Sequence, residues 1–169
     1  MRGVSAMELT AEPVRSFEDF YRAEWPGLRR AVGFVVQDRE LAGECVDEAM
    51  TRAYERWAQV SLMERPAGWV YRVAVNEARN RGRRHKVERD KQPRGSLAVV
   101  PGADSVADPA IAAAIARLPL DQRSVVVLRY YLDWTTEEMA EALGVATGTV
   151  KSRLHRALQR LERSLGRQA

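Results

Sequence analysis

A chain of 169 residues, 46% hydrophobic and 30% charged, can bury one medium core or two small ones. It has no apolar run near the roughly 20 residues a membrane-spanning helix needs, and MRGVSAMELTAEP at its start lacks a leader's apolar stretch, so a cytoplasmic protein without membrane insertion is expected. One Cys excludes an internal disulfide, His85 and His155 lack zinc-ligand spacing, and there is no nucleophile-base pair or phosphate-binding glycine loop; no metal, cofactor or catalysis is expected, and the net charge of +4 favours an anionic partner wherever it clusters.

Residues 1–15 read as a disordered terminus. Ser16, with Asp19 as its acidic partner, caps a first helix on which Phe17, Phe20, Tyr21, Leu28, Ala31, Val32 and Val35 share a side. Pro26 and Gly27 are expected to bend or interrupt it. Asp38 starts a second helix with Leu41, Cys45, Ala49, Ala53 and Trp57 at steps of four, Cys45 as a small core residue. Pro66, favoured at a first helical position, opens a third helix with the apolar stripe Val70, Val73, Ala74 and Ala78. Past Arg84 the pattern dissolves, and 86–108 reads as a linker with prolines, glycines and no sustained period. Asp108 and Pro109 restart a helix carrying Ile111, Ala114, Ile115 and Leu118, which Pro119 ends or bends. In LDQRSVVVLRYYLDW, Val125, Leu128 and Leu132 with Val126 and Arg129 fit a helix better than the strand that three valines suggest.

Charge reverses between the second and third helices. Asp38 to Glu64 holds seven acids and three arginines, whereas Arg65 to Arg94 holds ten bases and three acids. Both segments cannot lie along one phosphate backbone, since the polyanion that attracts one repels the other. Either the unit has two partners or the helices neutralise each other across a surface. Arg72, Asn76, Arg79, Asn80 and Arg83 form one polar stripe opposite the valines, in which the amides can read base edges while the arginines hold phosphates. Tyr54, Trp57, Trp69 and Tyr71 either stack on an unpaired base or pack in the core.

The segment TTEEMAEALGVATGTVKSRLHRAL, residues 135–158, carries the strongest pattern. Thr135 and Glu138 make a capping box, Met139, Ala140 and Leu143 give an apolar face, and Gly144 ends the helix in a left-handed conformation. Val145 plugs the corner. Thr147 is expected to cap a second helix whose Val150, Leu154, Leu158, Leu161 and Leu165 recur at helical spacing. Its polar face carries Thr149, Lys151, Ser152, Arg153, Arg156, Gln159, Arg160 and Arg163, and Val150 to Ala169 holds six bases against one acid. Arginine and lysine pair with guanine and neutralise phosphates, so this reads as a DNA-binding helix-turn-helix; a solvated amphipathic helix is the alternative. With no strand pairing visible, the fold class is all-α, two small helical domains joined by a flexible linker.

FEDFYRAEWPGLRRAV, DRELAGECVDEAMTRAYERW, RPAGWVYRVAVNEARNRGRR and LPLDQRSVVVLRYYLDWTTEEMAEALGVATGTVKSRLHRALQRLE, in this order, resemble regions 2 and 4 of the extracytoplasmic-function sigma factors of the sigma-70 family. The resemblance implies region 2 over 16–85 and region 4 over 109–169. It implies core RNA polymerase as partner, with Glu44, Asp47, Glu48 and Arg52 on the clamp of the β′ subunit and region 4 touching the flap tip of the β subunit. Promoter DNA is the second implied partner: the stripe Arg72, Asn76, Arg79, Asn80 and Arg83, with the 61–65 loop, at the minus-10 element, and Thr147, Thr149, Lys151, Ser152, Arg153 and Arg156 in the minus-35 major groove. A separate anti-sigma factor is a further expectation. Gly43 and Glu44 stand where the family usually has a pair of acids. The competing function is a free-standing dimeric helix-turn-helix regulator, which would bind duplex sites without polymerase.

Overall fold

The computed structural model describes residues 16–89 and 108–166. The expected disordered terminus and most of the expected linker lie outside the described residues, whose regular elements are all α-helices: α1 (Phe17–Val36), α2 (Arg39–Glu55), α3 (Trp57–Val60), α4 (Pro66–Arg89), α5 (Pro109–Ala116), α6 (Leu120–Tyr130), α7 (Thr136–Leu143) and α8 (Thr147–Leu165).

Local chemistry sets most of the boundaries. The Ser16 side chain accepts from the Asp19 N–H at 3.2 Å, and Asp38 does the same for Leu41 at 2.9 Å, satisfying donors that a helix start leaves unpaired. Asp108 caps α5 with Pro109 in its first turn. α1 runs unbroken through Pro26, so of the expected bend or interruption the interruption does not occur. The exposed proline ring costs the helix one hydrogen bond, while the fully packed Leu28, Ala31, Val32 and Val35 beyond it hold the last turns in place. α4 continues to Arg89, past the point where the apolar pattern fades. The three valines of α6 are helical as expected, with Val125 and Leu128 fully buried.

In the first unit α1, α2 and α4 enclose Phe20, Leu28, Val32, Cys45, Val46, Met50, Val70 and Ala74. Trp57, expected on α2, belongs to the short α3, where its ring packs on Phe20 at 4.9 Å and Phe17 at 5.4 Å. In the second unit α8 lies against α6, α7 and α5. Ala157, at 0% exposure, seats it beside Leu118 and Val126, whereas Leu158 and Ile111, expected to face inward, are exposed.

The two units share one continuous apolar cluster. Val125, Val127, Leu128, Trp134, Met139 and Val150 belong to the cluster that also contains the core of α1, α2 and α4. Phe34 of α1 meets Tyr131 edge-on at 5.4 Å. A Cβ built on Gly27 would stand 3.7 Å from Leu132, and one on Gly68 only 3.2 Å from the Ala142 Cβ. The latter glycine lets the backbones of α4 and α7 approach closely.

Candidate promoter and polymerase interfaces

The helix-turn-helix is built as its sequence predicts at its first helix and turn. The Thr135 N–H donates to Glu138 Oε2 at 2.7 Å and the Glu138 N–H to Thr135 Oγ1 at 3.2 Å. Partial burial pushes the Glu138 carboxyl up, but the Thr135 N–H, the Arg65 guanidinium and the Thr135 hydroxyl together pull it below its usual range. Gly144 adopts φ 65°, and the Val145 N–H closes the turn on the Ala140 carbonyl at 3.0 Å.

The second helix differs from expectation at its start. Its N-cap is Ala146, not Thr147, and no side chain caps it. Thr147 sits instead in the first turn, exposed, beside a Gly148 with open space around it. Thr147, Lys151, Ser152 and Arg156 are exposed, while Thr149 and Arg153 are half-buried. The Ser152 hydroxyl donates to the Thr149 carbonyl at 3.0 Å. Arg153 turns toward α6, its Nη2 3.3 Å from Asp121 Oδ2.

On α4, Arg72, Asn76, Asn80 and Arg83 are exposed and Arg79 is half-buried. Arg83 donates to the Asn80 side-chain oxygen at 3.4 Å, and Arg79 pairs with Asp121 Oδ1. Arg72 reaches the helix-turn-helix corner, 3.8 Å from where a Gly144 Cβ would stand. Of the four aromatic groups open to either use, Tyr71 is fully buried and Trp57 sits in the aromatic cluster; Trp69 is half-buried and Tyr54 exposed. In the 61–65 loop Leu62 is 77% exposed and Met63 37%, an apolar surface beside the polar stripe that periodicity alone did not mark, because the loop has no period.

The acidic helix is partly neutralised from within the chain. Arg81 donates to Glu77 at 3.0 Å, to Glu44 at 3.0 Å and to Glu48, while Arg52 bonds Glu48 and lies 3.8 Å from Glu77. The hydrogen bond to Glu77 is the main cause that raises the Arg81 guanidinium further above its ordinary value. Sequence reading missed Arg81 because it lies off the Arg72–Arg83 stripe, facing α2. Asp47 is held differently: Trp25 Nε1 donates to its Oδ1 at 2.6 Å, and Arg29 stacks over the same indole at 5.2 Å. Gly43 faces inward, and a Cβ there would meet Arg29 Nε at 3.1 Å. That position packs α2 on α1 and does not contribute to the outer acidic face.

These features define a class: an all-helical protein of two units, with a polar stripe on α4 beside the mixed-charge α2 in the first and a helix-turn-helix with a basic second helix in the second. Residues 20–88 match the family model for sigma-70 region 2 and residues 109–161 that for sigma-70 region 4. The RNA polymerase sigma-E factor of Streptomyces coelicolor is 36% identical over 156 residues, covering 90% of this chain and 87% of that protein. The ECF RNA polymerase sigma factor SigM of Mycobacterium tuberculosis is 33% identical over 156 residues, covering 89% and 78%. The sigma factor RpoE of Bartonella quintana, solved with the anti-sigma factor NepR, superposes with a TM-score of 0.75 at 23% identity, over 89% of this chain and 96% of that one. CnrH, solved with the cytosolic domain of CnrY, gives 0.62 at 18% identity, over 90% and 89%. The chain belongs to the extracytoplasmic-function sigma factors of the sigma-70 family.

It is therefore an RNA polymerase sigma factor that directs promoter-specific initiation by binding core polymerase and the minus-10 and minus-35 elements. Sigma factors are in general regulators without catalysis of their own. Among the described residues no helix is long and apolar enough to cross a membrane, and no group of His, Cys, Asp or Glu could hold a metal ion.

Proposed function

We propose that the promoter contacts divide between the units along the domain limits 16–85 and 109–169. Arg72, Asn76, Arg79, Asn80 and Arg83 act at the minus-10 element, and Thr147, Thr149, Lys151, Ser152, Arg153 and Arg156 in the minus-35 major groove. The observation that carries the second half is the start of α8. An exposed first turn without a side-chain cap leaves its N–H groups to a DNA phosphate, while Lys151, Ser152 and Arg156 stand exposed beside it. The amides Asn76 and Asn80, with Leu62 and Met63 exposed on the adjoining loop, are suited to an unstacked base, which needs polar groups for its edge and apolar surface for its face.

Glu44, Asp47, Glu48 and Arg52 meet the β′ clamp, and region 4 meets the β flap tip. Because Arg81 already ties Glu44 and Glu48, Asp47 with its Trp25 neighbour is the centre of the clamp contact. A separate anti-sigma factor is part of the same reading, supported by the likeness in fold to the sigma factor RpoE solved with the anti-sigma factor NepR. The chain itself catalyses no bond chemistry and acts in the cytoplasm, where core polymerase is.

Transcription in vitro from a promoter library, with purified core polymerase and the chain either wild type or Asp47→Ala, tests this division. Shared upstream sequence pairs should emerge with wild type, and Asp47→Ala should weaken polymerase association while leaving the sequence pairs unchanged. A variant that changes the recovered sequences would move Asp47 from the polymerase to the DNA side. Duplex binding by the chain alone, without polymerase recruitment, would favour the free-standing regulator.

A further inference from the structure

We infer that the aromatic groove between α1 and α2 is a subsite into which the polymerase clamp inserts one cationic side chain, and that Trp25 is the positioning residue that aims Asp47 at it. The inference rests on the assignment of Asp47 to the polymerase-binding face.

Phe17, Tyr21 and Trp25 stand four residues apart on α1, and Asp47, Thr51 and Tyr54 recur at steps of four and three on α2, so each set lines one wall of the groove. Met50, 2% exposed, lies between them. The rings form a continuous row, with centroids 5.1 Å apart from Tyr54 to Phe17, 6.1 Å from Phe17 to Tyr21 and 6.0 Å from Tyr21 to Trp25. Tyr21 and Tyr54 are both exposed, which opens the row to a partner. At its Trp25 end stands the exposed Asp47, whose Oδ1 accepts from the indole Nε1 at 2.6 Å.

The indole is itself fixed. Tyr21, one turn earlier, stacks on it at 26°, and Arg29, one turn later, lies over it at 5.2 Å. Arg29 has room there because residue 43 is a glycine, whose Cβ would stand 3.1 Å from the Arg29 Nε.

A carboxylate at the end of a row of rings suits an arginine or lysine. The rings attract a cation to their faces, the carboxylate pairs with it, and the apolar stem of the side chain covers the remaining ring surface. Glu44 and Glu48 are tied by Arg81, and Glu48 also by Arg52, whereas the hydrogen bond to Asp47 comes from a neutral indole and leaves its charge in place. That charge repels a phosphate backbone, so Tyr54 serves neither core packing nor base stacking. Lying seven residues after Asp47, it extends the docking face along α2 by about 10 Å.

The affinity of the full chain for core polymerase, measured by competition against labelled wild type with the urea midpoint as the control for folding, tests the groove. Tyr21→Ala and Tyr54→Ala should each weaken binding roughly two- to thirtyfold, the range for a cation on an aromatic face, and Tyr54→Phe should retain it. Thr51→Lys should also weaken binding, because the new ammonium can reach Asp47 one turn earlier and take the place of the incoming cation. Thr51→Glu should tighten it, most at low salt. Wild-type affinity in both tyrosine variants overturns the groove, and the reverse order at Thr51, or equal loss from both charges, overturns the cationic occupant.

Trp25→Phe keeps a ring and removes the indole donor. Binding should fall about two- to tenfold, the cost of ordering a released side chain at an interface, and this loss should vanish in an Asp47→Ala background. No loss, or one that persists there, overturns the positioning role. Failure of the underlying assignment shows separately, as an Asp47→Ala chain that binds polymerase like wild type.

Discussion

Tyr71 of α4 and Trp134, in the turn before α7, meet edge-on with ring centroids 5.9 Å apart at 70°. They come from different units, and both are buried to within 3%. The Tyr71 hydroxyl finds no hydrogen-bond partner of normal geometry, and burial pushes its phenol up, an effect that Ser124 only partly offsets. A buried donor without a partner costs about 1–3 kcal/mol. Tyr71→Phe should therefore leave the urea unfolding free energy unchanged or raise it by about 1 kcal/mol, whereas Trp134→Ala should lower it by about 3–5 kcal/mol. A clear loss in Tyr71→Phe would show that the hydroxyl is bonded after all.

Glu138 makes stability depend on acid. Its carboxyl is held below the ordinary value of 4.5 in the folded chain, so the unfolded chain binds the proton more readily. The contribution is complete above that ordinary value and is lost as pH falls through the lower folded value. Urea midpoints measured between about pH 6 and pH 3 should fall less steeply for Glu138→Gln than for wild type. Parallel curves would remove Glu138 from the acid response.

How much of this was legible in the sequence depends on range. The capping box, Gly144, Asp38 and Asp108 are local devices, and each acts within three or four residues of itself, so pattern alone located them. Thr147 failed as a cap because Ala146 already has the extended backbone of that position; a hydroxyl residue was available, but one step too late. Pro26 did not interrupt α1, since burial on both sides outweighs one missing N–H. The pairs Arg79–Asp121, Arg65–Glu138 and Arg81–Glu48 span 42, 73 and 33 residues, and no periodicity reports on such distances. Two candidate DNA residues, Arg79 and Arg153, and three candidate polymerase residues, Glu44, Glu48 and Arg52, are tied by ion pairs within the chain, which the sequence could not show.

Arg153 is half-buried and Arg156 exposed on the same helix. Arg153→Ala should lower transcription unevenly across promoters, with about 1–3 kcal/mol of discrimination lost at one base position. Arg156→Ala should weaken all promoters together and reduce the salt slope by about 1. Promoter-library profiles at two salt concentrations separate the two patterns, and a uniform loss for Arg153 would make it a phosphate contact.

On α4, Asn76→Ala should slow strand opening at the minus-10 element more than it weakens the initial closed complex. Permanganate reactivity of unpaired thymines, compared with duplex retention in a gel, distinguishes these steps. Equal effects on both would count against base capture at this residue.

Cys45 is wholly buried between α2 and its neighbours, and burial raises its thiol above the ordinary 9.0 despite the opposing Arg81 charge. A thiol reagent at neutral pH should label it only after denaturant is added, because reaction needs both access and the thiolate. Rapid labelling of the native protein would indicate that α2 detaches readily.

Trp134 has one more consequence. Its indole is 3% exposed, roofed by Arg65 and flanked by Tyr71, so parting the two units would place an apolar ring in water. Its fluorescence would then shift to longer wavelength with no attached dye. With Trp25, Trp57 and Trp69 replaced by Phe, the chain would carry its own optical reporter of separation between the two units.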